Sequence, residues 1–412
     1  MKLIKCRICN SKKFINLFSL GNLSFTGKFS RNINHKIPKG LINLIMCKEC
    51  KLVQLDRNFN PKYLYSSDYG YRTGINRTMT NHVKDISEEA IKLINLNKKD
   101  YVIDIASNDA TLLNFYKKNC KTVGIDPLVN KYLNYYKNIN HQVSNFFSYN
   151  VLKKKGLNKK YKIITALSMF YDLKSPNNFV RDIKKILHND GIFVLEHADL
   201  LSIFKYSLFD TICHEHLEYY SSKIIIKLME NNGLRVFNIK NNKINGGSAC
   251  YFICHKKSKF KTNKRKISKI LREEKYYGLE NVNSYKRFLK KINRSSEKTK
   301  LFIRNILSKN LKIHGYGAST KGNVLLQYLD ITQKEIEFIA ERNPLKYNKY
   351  TPGTSIKIIS EKKSRSLKPD YYFVLPWHFK NEIIKRETKI RNLGTKLIFD
   401  FLFSISFIKT FS

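Results

Sequence analysis

Apolar residues along the chain form short runs that alternate with amphipathic stretches, and this pattern divides the chain into four parts. In residues 90–255, apolar runs typical of buried strands alternate with stretches in which apolar residues recur at helical spacing. Residues 310–400 repeat the alternation, whereas residues 256–309 show helical spacing within a Lys-rich background. Alternating strands and helices predict parallel, doubly wound sheets. The pattern therefore predicts two α/β domains joined by a helical linker, behind an N-terminal segment with two Cys-x-x-Cys pairs.

The central part has the clearest succession of predicted elements. Strands are predicted at 101–105, 122–125, 162–167 and 192–196, and helices at 111–118, 178–187 and 223–230. Two further strands, at 235–239 and 249–254, follow each other across a Gly-Gly turn without a helix between them. This pair predicts an antiparallel hairpin at one edge of an otherwise parallel sheet.

Four cysteines in the N-terminal part have the spacing of metal ligands: Cys6, Cys9, Cys47 and Cys50. In a Cys-x-x-Cys turn both sulfurs can face one ion, and two such pairs can close a tetrahedral zinc site. Because four thiolates leave no open coordination position, we expect the metal to stabilise the fold and not to take part in catalysis. Four unrelated free thiols are the alternative.

A polar loop at residues 104–110, between a predicted strand and a predicted helix, is a candidate ligand site. Ligands of doubly wound folds bind outside the carboxyl ends of the strands, where a carboxylate after the second strand can accept both ribose hydroxyls. The loop has no G-x-G-x-x-G motif, and its carboxylates would repel a diphosphate. S-adenosylmethionine (SAM), a cationic nucleoside without phosphates, therefore suits it better than NAD, while helix capping is the structural alternative. The candidate SAM contacts are Asp104, Ser107, Asn108, Asp109, Asp126 and Leu167.

The segment TICHEHLEYY, residues 211–220, places a glutamate between two histidines. It lacks the His-Glu-x-x-His spacing of a helical zinc site. His216 is a candidate general base, because an imidazole near its ordinary pKa of about 6.5 can take a proton at neutral pH and a neighbouring carboxylate, Glu215, can orient it. A metal bound by His214 and His216, and two purely structural histidines, are the alternatives.

A glycine-rich loop lies in the C-terminal part, in IHGYGASTKGN, residues 313–323. A strand leads into small residues and then a helix, with Lys321 in the loop, which is a diphosphate-binding arrangement although it does not match a Walker A motif. A later strand, predicted at 371–375, leads to Trp377 at the same edge. This single tryptophan is either a core residue or a ligand contact.

The net charge of the chain adds a further constraint. Lys and Arg number 77 against 32 Asp and Glu, which gives +45, and so basic a chain binds polyanions at low salt. Lys, Asn, Ile, Tyr and Phe are also the residues that AT-rich codons favour, so coding bias competes with a nucleic-acid-binding surface. The N-terminus does not resemble a signal peptide and no apolar run reaches the roughly 18 residues of a membrane span, so we expect a cytoplasmic protein.

Taken in order, these motifs resemble one family, the sugar C-methyltransferases that act on nucleotide-linked 4-keto-6-deoxyhexoses. The likeness extends from Cys6 to about Asp400. It also includes the segments DYGYRTG at 68–74, NGGS at 245–248, ERNP at 341–344 and TPGT at 351–354.

The resemblance implies an α/β protein with a zinc-binding module at 1–70, a class I Rossmann-like methyltransferase domain at 71–255, a helical linker at 256–309 and a second Rossmann-like domain at 310–412 that helps to hold the nucleotide-sugar. It implies proton abstraction beside a keto group and attack of the resulting enolate on the methyl group of SAM. His216 matches the base position, Glu215 its neighbour, and Tyr71 or Tyr69 the tyrosine that reaches the sugar. The candidate substrate contacts are Cys213, Tyr316, Lys321, Asn323 and Arg342.

Several residues depart from the family pattern. Cys213 stands where a tyrosine often precedes His-Glu-His, and residues 169–171 occupy a stretch where other members can carry a histidine. Ala106 and Ala110 replace glycines that are common in the SAM loop, where an added methyl can crowd the ligand. We expect a monomer, and the alternative functions are a nucleic-acid-binding methyltransferase, a zinc-dependent binding protein and a nucleotide-sugar oxidoreductase.

Overall fold

The fold is that of a computed structural model, which describes residues 1–60, 64, 71–116 and 120–399. Tyr69 and the terminal stretch 401–412 lie outside the described residues. Three sheets follow one another along the chain, with four, seven and five strands. The predicted α/β class, with a cysteine-bearing N-terminal module and two parallel-sheet domains, is confirmed.

The described helices and strands are numbered in chain order. The strands are β1 (Phe14–Ser24), β2 (Lys39–Cys47), β3 (Val53–Leu55), β4 (Tyr101–Ile105), β5 (Lys121–Ile125), β6 (His141–Val143), β7 (Tyr161–Leu167), β8 (Leu187–Ala198), β9 (Glu218–Tyr219), β10 (Leu234–Asn242), β11 (Ser248–His255), β12 (Ile313–Tyr316), β13 (Phe338–Glu341), β14 (Lys357–Ser360), β15 (Tyr371–Val374) and β16 (Lys396–Ile398). The α-helices are α1 (Arg77–Leu93), α2 (Tyr149–Lys154), α3 (Pro176–Ile186), α4 (Leu200–Tyr206), α5 (Ser222–Asn231), α6 (Lys264–Tyr277), α7 (Val282–Leu307), α8 (Thr320–Tyr328), α9 (Glu361–Ser366), α10 (Lys380–Arg386) and α11 (Thr388–Asn392).

The N-terminal sheet takes its fourth strand from the central domain. Its order is β1-β2-β3-β9, with antiparallel pairing throughout. Val53 lies opposite Tyr219 and Gln54 opposite Glu218. The zinc module and the His-Glu-His segment, which leads directly into β9, are therefore parts of one hydrogen-bonded sheet.

The central sheet has the order β10-β11-β8-β7-β4-β5-β6. Strands β4 to β8 are parallel, and β10 and β11 close one edge as the predicted antiparallel hairpin. Val102, Ile103 and Ile105 are at most 1% exposed, because helices and loops cover both faces of a parallel sheet. Strand order reverses between β4 and β7, so the ends of these strands form the crevice where such folds bind ligands.

One predicted helix of the central part is wrong in the described residues. Its described part, 111–116, contains a 3-10 turn, Leu113–Phe115, with bonds that span three residues from Phe115 N–H to Leu112 O (3.1 Å) and from Tyr116 N–H to Leu113 O (3.0 Å). Ala110, just before it, has a φ of +58°, and a right-handed helix cannot run back through a left-handed residue.

The C-terminal sheet is parallel, with the order β14-β13-β12-β15-β16. Strand order reverses between β12 and β15, which brings together the glycine-rich loop after β12 and the Pro376–His378 turn after β15. The Lys-rich linker forms α6 and α7, whose apolar face is buried; the Phe288 ring on α7 lies 5.9 Å from that of Phe18 in β1. Among the helices described, none is long and apolar enough to cross a bilayer.

Candidate functional site

The four cysteines of the N-terminal module converge on one point. Their sulfur atoms all lie within 4.8 Å of one another, and the Cys6–Cys50 and Cys9–Cys47 pairs are 3.5 Å apart. Zinc–sulfur bonds of about 2.3 Å in a tetrahedron put sulfur atoms about 3.8 Å apart. The cluster therefore has the dimensions and the ligand chemistry of a closed, structural zinc site.

Arg7, between the first two cysteines, ties this module to the central domain. Its guanidinium donates to Gln54 Oε1 at 3.2 Å and to the carbonyl of Leu55 at 3.0 Å. It also donates to the carbonyl of Leu217 at 3.3 Å and lies 3.6 Å from the carboxylate of Glu218. Burial raises the pKa of Glu218 well above its ordinary value, against the opposing charge of Arg7. Arg7 thus fixes the residues that directly follow His216.

The candidate SAM loop has an alternating left-handed backbone. Ala106, Asn108 and Ala110 have φ values of +59°, +49° and +58°. A left-handed conformation costs a non-glycine residue roughly 1–2 kcal/mol, which explains why glycines suit this loop. The methyl group of Ala110 is fully buried in a cluster with Leu113 and Leu128, so it packs into the core and does not crowd a ligand.

Two buried carboxylates mark the ends of β4 and β5. The Asp104 carboxylate accepts a hydrogen bond from Thr165 Oγ1 at 2.5 Å, and Asp126 accepts from the backbone N–H groups of Asn108 at 3.0 Å and Leu128 at 2.7 Å. Burial raises the pKa of Asp104 to about 7 and also raises that of Asp126. The backbone of the loop thus holds Asp126 at the ligand-binding edge of the sheet, where a carboxylate can accept ribose hydroxyls.

Residues 71–74 cover the SAM loop. The backbone N–H of Thr73 donates to Asn108 Oδ1, and that of Gly74 donates to Asp109 Oδ2, both at 2.9 Å. Arg72 Nε lies 3.5 Å from the Asp109 carboxylate. These two predicted SAM residues therefore use their side chains to hold the covering segment. The remaining candidates lie nearby: the Ser107 hydroxyl contacts the Tyr136 hydroxyl at 2.8 Å, and Leu167 ends β7.

Tyr71 lies where the three parts of the chain meet. Its side chain is 44% exposed and lines a cavity of about 180 Å³, together with Gly27 of the zinc module and Ser319 and Glu341 of the C-terminal domain. The carbonyl of Tyr71 accepts a hydrogen bond from Tyr132 Oη at 3.0 Å, which anchors its backbone beside the SAM loop.

His216 lies at the ligand-binding edge of the central sheet. Its ring centroid is 4.1 Å from that of Tyr171, which follows β7, and its Nδ1 is 2.7 Å from the carbonyl oxygen of Thr211. Because a carbonyl only accepts, Nδ1 carries the proton and Nε2 keeps its lone pair. Burial and, to a smaller extent, the charge of Lys321 lower the pKa of His216 to about 3. The imidazole is therefore neutral, with Nε2 available as a base.

The sequence interpretation of His-Glu-His needs three corrections. The pKa of His216 is far below 6.5, and the carbonyl of Thr211, not the carboxylate of Glu215, orients its ring. Glu215 instead accepts from Thr26 Oγ1 at 3.2 Å, and its Oε1 is buried with no partner among the described residues. His214 is a packing residue, 4.7 Å from the Phe25 ring, and it forms no cluster of three metal ligands within the described chain.

Several of the predicted substrate contacts are buried or bonded to other residues of the chain. Tyr316 is 1% exposed, and its hydroxyl donates within a buried cluster with Glu387 at 2.7 Å. Asn323 is fully buried and donates to the carbonyl of Thr26 at 2.6 Å, and Cys213 is 1% exposed. Arg342 is about half exposed, 3.8 Å from Glu382. Apart from Lys321, this set does not converge on the loop after β12.

Lys321 extends away from its own loop and into the His216 region. Its Nζ donates to the carbonyl of Asn245 at 2.5 Å. Asp210, which accepts from Trp377 Nε1 at 2.9 Å, opposes the effect of burial on the pKa of Lys321. Sequence reasoning missed Asp210. The position of Asp210 directly before the His-Glu-His segment was the available signal.

Family models match the chain in three consecutive parts. A zinc binding domain matches residues 6–65, a methyltransferase domain residues 68–239, and a C-methyltransferase C-terminal domain residues 243–401. A curated relative, the C-methyltransferase NovU of Streptomyces niveus, is 24% identical over 401 residues, which are 96% of this chain and 94% of the relative.

Two solved structures overlap part of the chain. An S-adenosylmethionine-dependent methyltransferase from Clostridium acetobutylicum ATCC 824 has 13% identity and a TM-score of 0.34, and covers 43% of this chain and 92% of its own. The magnesium protoporphyrin IX methyltransferase of Synechocystis PCC 6803 with bound SAH has 12% identity and a TM-score of 0.34, and covers 44% and 88%. Together with the cysteine cluster, the family matches confirm the predicted cofactors, SAM and a structural zinc ion.

Proposed function

Since the chain belongs to the SAM-dependent C-methyltransferases, we propose that its substrate is a nucleotide-linked 4-keto-6-deoxysugar, methylated at a carbon next to the ketone. The single observation that carries this proposal is the neutral imidazole of His216 at the edge of the sheet that also bears the SAM loop. A carbon beside a ketone is acidic enough to be deprotonated by a positioned base, and a carbon nucleophile requires that deprotonation.

His216 Nε2 takes the proton in this proposal. The hydrogen bond from Nδ1–H to Thr211 O leaves the lone pair on Nε2 and also favours the protonated form once it arises. Burial keeps the imidazole deprotonated before the substrate enters, so no proton has to leave the site first.

Glu215 and Tyr71 are the proposed contacts to the sugar. The unpartnered Oε1 of Glu215 is a buried acceptor, and a substrate hydroxyl would satisfy it. Tyr71 lines the cavity between the three parts of the chain, where a sugar held by the C-terminal domain can reach it.

SAM would be held by the 104–110 loop and Asp126, and when bound it supplies the methyl group and leaves as the neutral thioether. The proposed contribution of the protein is to place the deprotonated carbon of the sugar in line with that methyl group. Holding two reactants in one geometry removes much of the entropic cost of their encounter.

The test is methyl transfer from labelled SAM to a panel of nucleoside-diphosphate 4-keto-6-deoxysugars, with the attachment atom identified by NMR. We expect carbon methylation by the wild type and a drop in kcat of about 10²–10⁴-fold for His216→Gln, with SAM affinity unchanged. His188→Gln, at the opposite end of β8 from the site, is the matched control. Transfer to oxygen, or no transfer while SAM binds, would refute the substrate assignment; full turnover in His216→Gln would remove the base role.

A further inference from the structure

Lys321 is a cation whose position the diphosphate interpretation does not explain. It lies on the first turn of α8, yet its side chain reaches across to the central domain, where Nζ donates to the carbonyl of Asn245 at 2.5 Å. The Asn245 side chain in turn donates to Ser168 Oγ at 3.4 Å, at the end of β7. The ammonium is therefore fixed beside the ligand-binding edge of the methyltransferase sheet.

The neighbours of Lys321 are the residues of the proposed chemistry. Burial, and to a smaller extent the positive charge of Lys321, lowers the pKa values of His216 and His378, and Asp210 and Cys213 raise the pKa of Lys321 against the larger effect of its own burial. The contacts agree with this: Gly246, next to the Asn245 carbonyl that Lys321 binds, has no room for a Cβ beside the Trp377 ring, and Trp377 binds Asp210. Asp210 directly precedes Thr211, whose carbonyl oxygen holds the His216 ring. One bond to Asn245 leaves two of the three donors of Lys321 for other partners.

The loop after β12 is already occupied by groups of its own chain. The backbone N–H of Ala318 donates to Glu341 Oε2 at 2.6 Å, and that of Gly322 donates to Ser319 Oγ at 3.0 Å. Glu341 also accepts from the N–H groups of Arg342 and Asn343. A carboxylate bonded into the loop repels phosphate, so this loop does not form the cradle that the sequence predicted.

We propose that Lys321 is a catalytic residue that donates a hydrogen bond to the ketone oxygen of the substrate and stabilises the negative charge that develops there. This role rests on the proposed function. The ketone oxygen is two bonds from the carbon that loses its proton, so the base and the oxygen-binding cation must face the same small volume. Lys321 reaches the end of β7 through Asn245, which bonds Ser168, and the His216 ring lies 4.1 Å from that of Tyr171, three residues after Ser168.

In the proposed reaction a negative charge forms between two positive groups. His216 Nε2 takes the proton, the carbon–hydrogen pair becomes the carbon–carbon double bond, and the carbonyl pair moves to oxygen. In the empty site burial and, to a smaller extent, repulsion from the Lys321 ammonium keep the imidazole neutral. An enolate oxygen between them is attracted to both, so the site favours the deprotonated substrate over the ketone.

Asp210 and Trp377 position the cation. The indole N–H of Trp377 holds Asp210 Oδ2 at 2.9 Å, and Asp210 Oδ1 is buried with no hydrogen-bond partner in the described chain. The charge of Asp210 raises the pKa of Lys321 against the larger, opposite effect of burial. Asp210 touches neither reactant in this proposal and acts through Lys321.

The test separates enolate formation from methyl transfer. Exchange of the acidic carbon–hydrogen of the ketosugar with D2O is followed by NMR with S-adenosylhomocysteine in place of SAM, and methyl transfer is measured separately. For Lys321→Met we expect both the exchange rate and kcat to fall about 10²–10³-fold with little change in KM. Lys321→Arg should retain part of the exchange, and Lys362→Met, an exposed lysine of α9, is the control.

Each outcome has a distinct meaning. If Lys321→Met raises KM and the inhibition constant of the free nucleoside diphosphate but keeps exchange at saturation, Lys321 binds the diphosphate and the proposal is overturned. If Lys321→Met does not fold, loss of exchange in Lys321→Arg with an unchanged pH profile would also overturn it. Absence of exchange in the wild type would refute the proposed function itself.

Discussion

The imidazole of His216 is held neutral by its surroundings rather than by its own chemistry. Burial and the Lys321 charge lower its pKa from 6.5 to about 3, while the bond to Thr211 opposes them. In the unfolded chain the same group binds a proton below about pH 6.5. Its contribution to stability is therefore fully present above pH 6.5 and is lost as the pH falls toward 3.

We predict that the resonance of His216 does not titrate between pH 5 and 8. The measurement is a titration of 13C-histidine-labelled protein, with His216→Gln to assign the signal and free histidine as internal reference. The His216→Gln variant should also lose less stability on acidification than the wild type, because the unfolded chain then binds one proton fewer. A midpoint near 6.5 for His216 would contradict the burial argument.

The sequence predicted some residues of the candidate site but not others. Asp126 and His216 were accessible because each stands in a local pattern, after a strand or beside a carboxylate. Asp210 stands directly before the His-Glu-His segment, but its contact with Trp377, 167 residues away, is formed only by the fold. The contacts of Lys321 could not be predicted either. The sequence places this residue in a loop but does not show which domain its side chain reaches.

At the scale of elements, strand β9 joins the cysteine cluster to the His-Glu-His segment. Arg7 lies within the first cysteine turn and donates to the carbonyl of Leu217, one residue after His216. The backbone N–H of Leu55 donates to the same carbonyl at 2.9 Å. A zinc ion bound by the four cysteines would thus stabilise the position of His216, the proposed base.

We predict that zinc removal disturbs His216 more than it disturbs SAM binding. In chelated protein, or in Cys9→Ser, amide hydrogen exchange at Leu55 should accelerate by about tenfold or more, because loss of the ion frees Arg7. Methyl transfer should fall with it while SAM affinity stays unchanged. Cys120→Ser, a cysteine outside the cluster, is the control, and unaltered exchange at Leu55 would contradict the coupling.

Element prediction succeeded where apolar runs were long enough to show a period. Strands β4, β5 and β7 were predicted almost residue for residue, since both faces are buried. Strands β3 and β9 have three and two residues, too few for any periodicity, so the shared sheet could not be foreseen. The predicted helix at 111–118 is a 3-10 turn in its described part, 111–116, where so few residues do not distinguish a period of 3.0 from one of 3.6.

At the scale of the whole molecule, the chain carries a formal net charge of +45. The linker helices α6 and α7 carry many of the basic residues on their exposed faces, while Ile270, Phe288 and Ile292 are buried. A cationic surface of this kind attracts polyanions without reading their sequence.

We predict that DNA binding by this protein is weak at physiological salt and independent of sequence. Fluorescence anisotropy with two unrelated duplexes should give equal affinities that fall by about 10³–10⁵-fold between 50 and 200 mM salt, if six to ten phosphates are contacted. Changing Lys264, Lys269 and Lys275 on α6 to Gln should make this dependence less steep. A sequence-selective complex at 200 mM salt would instead support a nucleic-acid-binding methyltransferase.

Because the N-terminal sheet includes β9 of the central domain, it cannot be completed early in cotranslational folding. Strand β3 is complete at residue 55, but its partner β9 begins at residue 218. Until the ribosome has released that later segment, the N-terminal sheet has an open edge, which is a hazard for association between nascent chains. The N-terminal sheet is therefore completed only after Tyr219 has been synthesised.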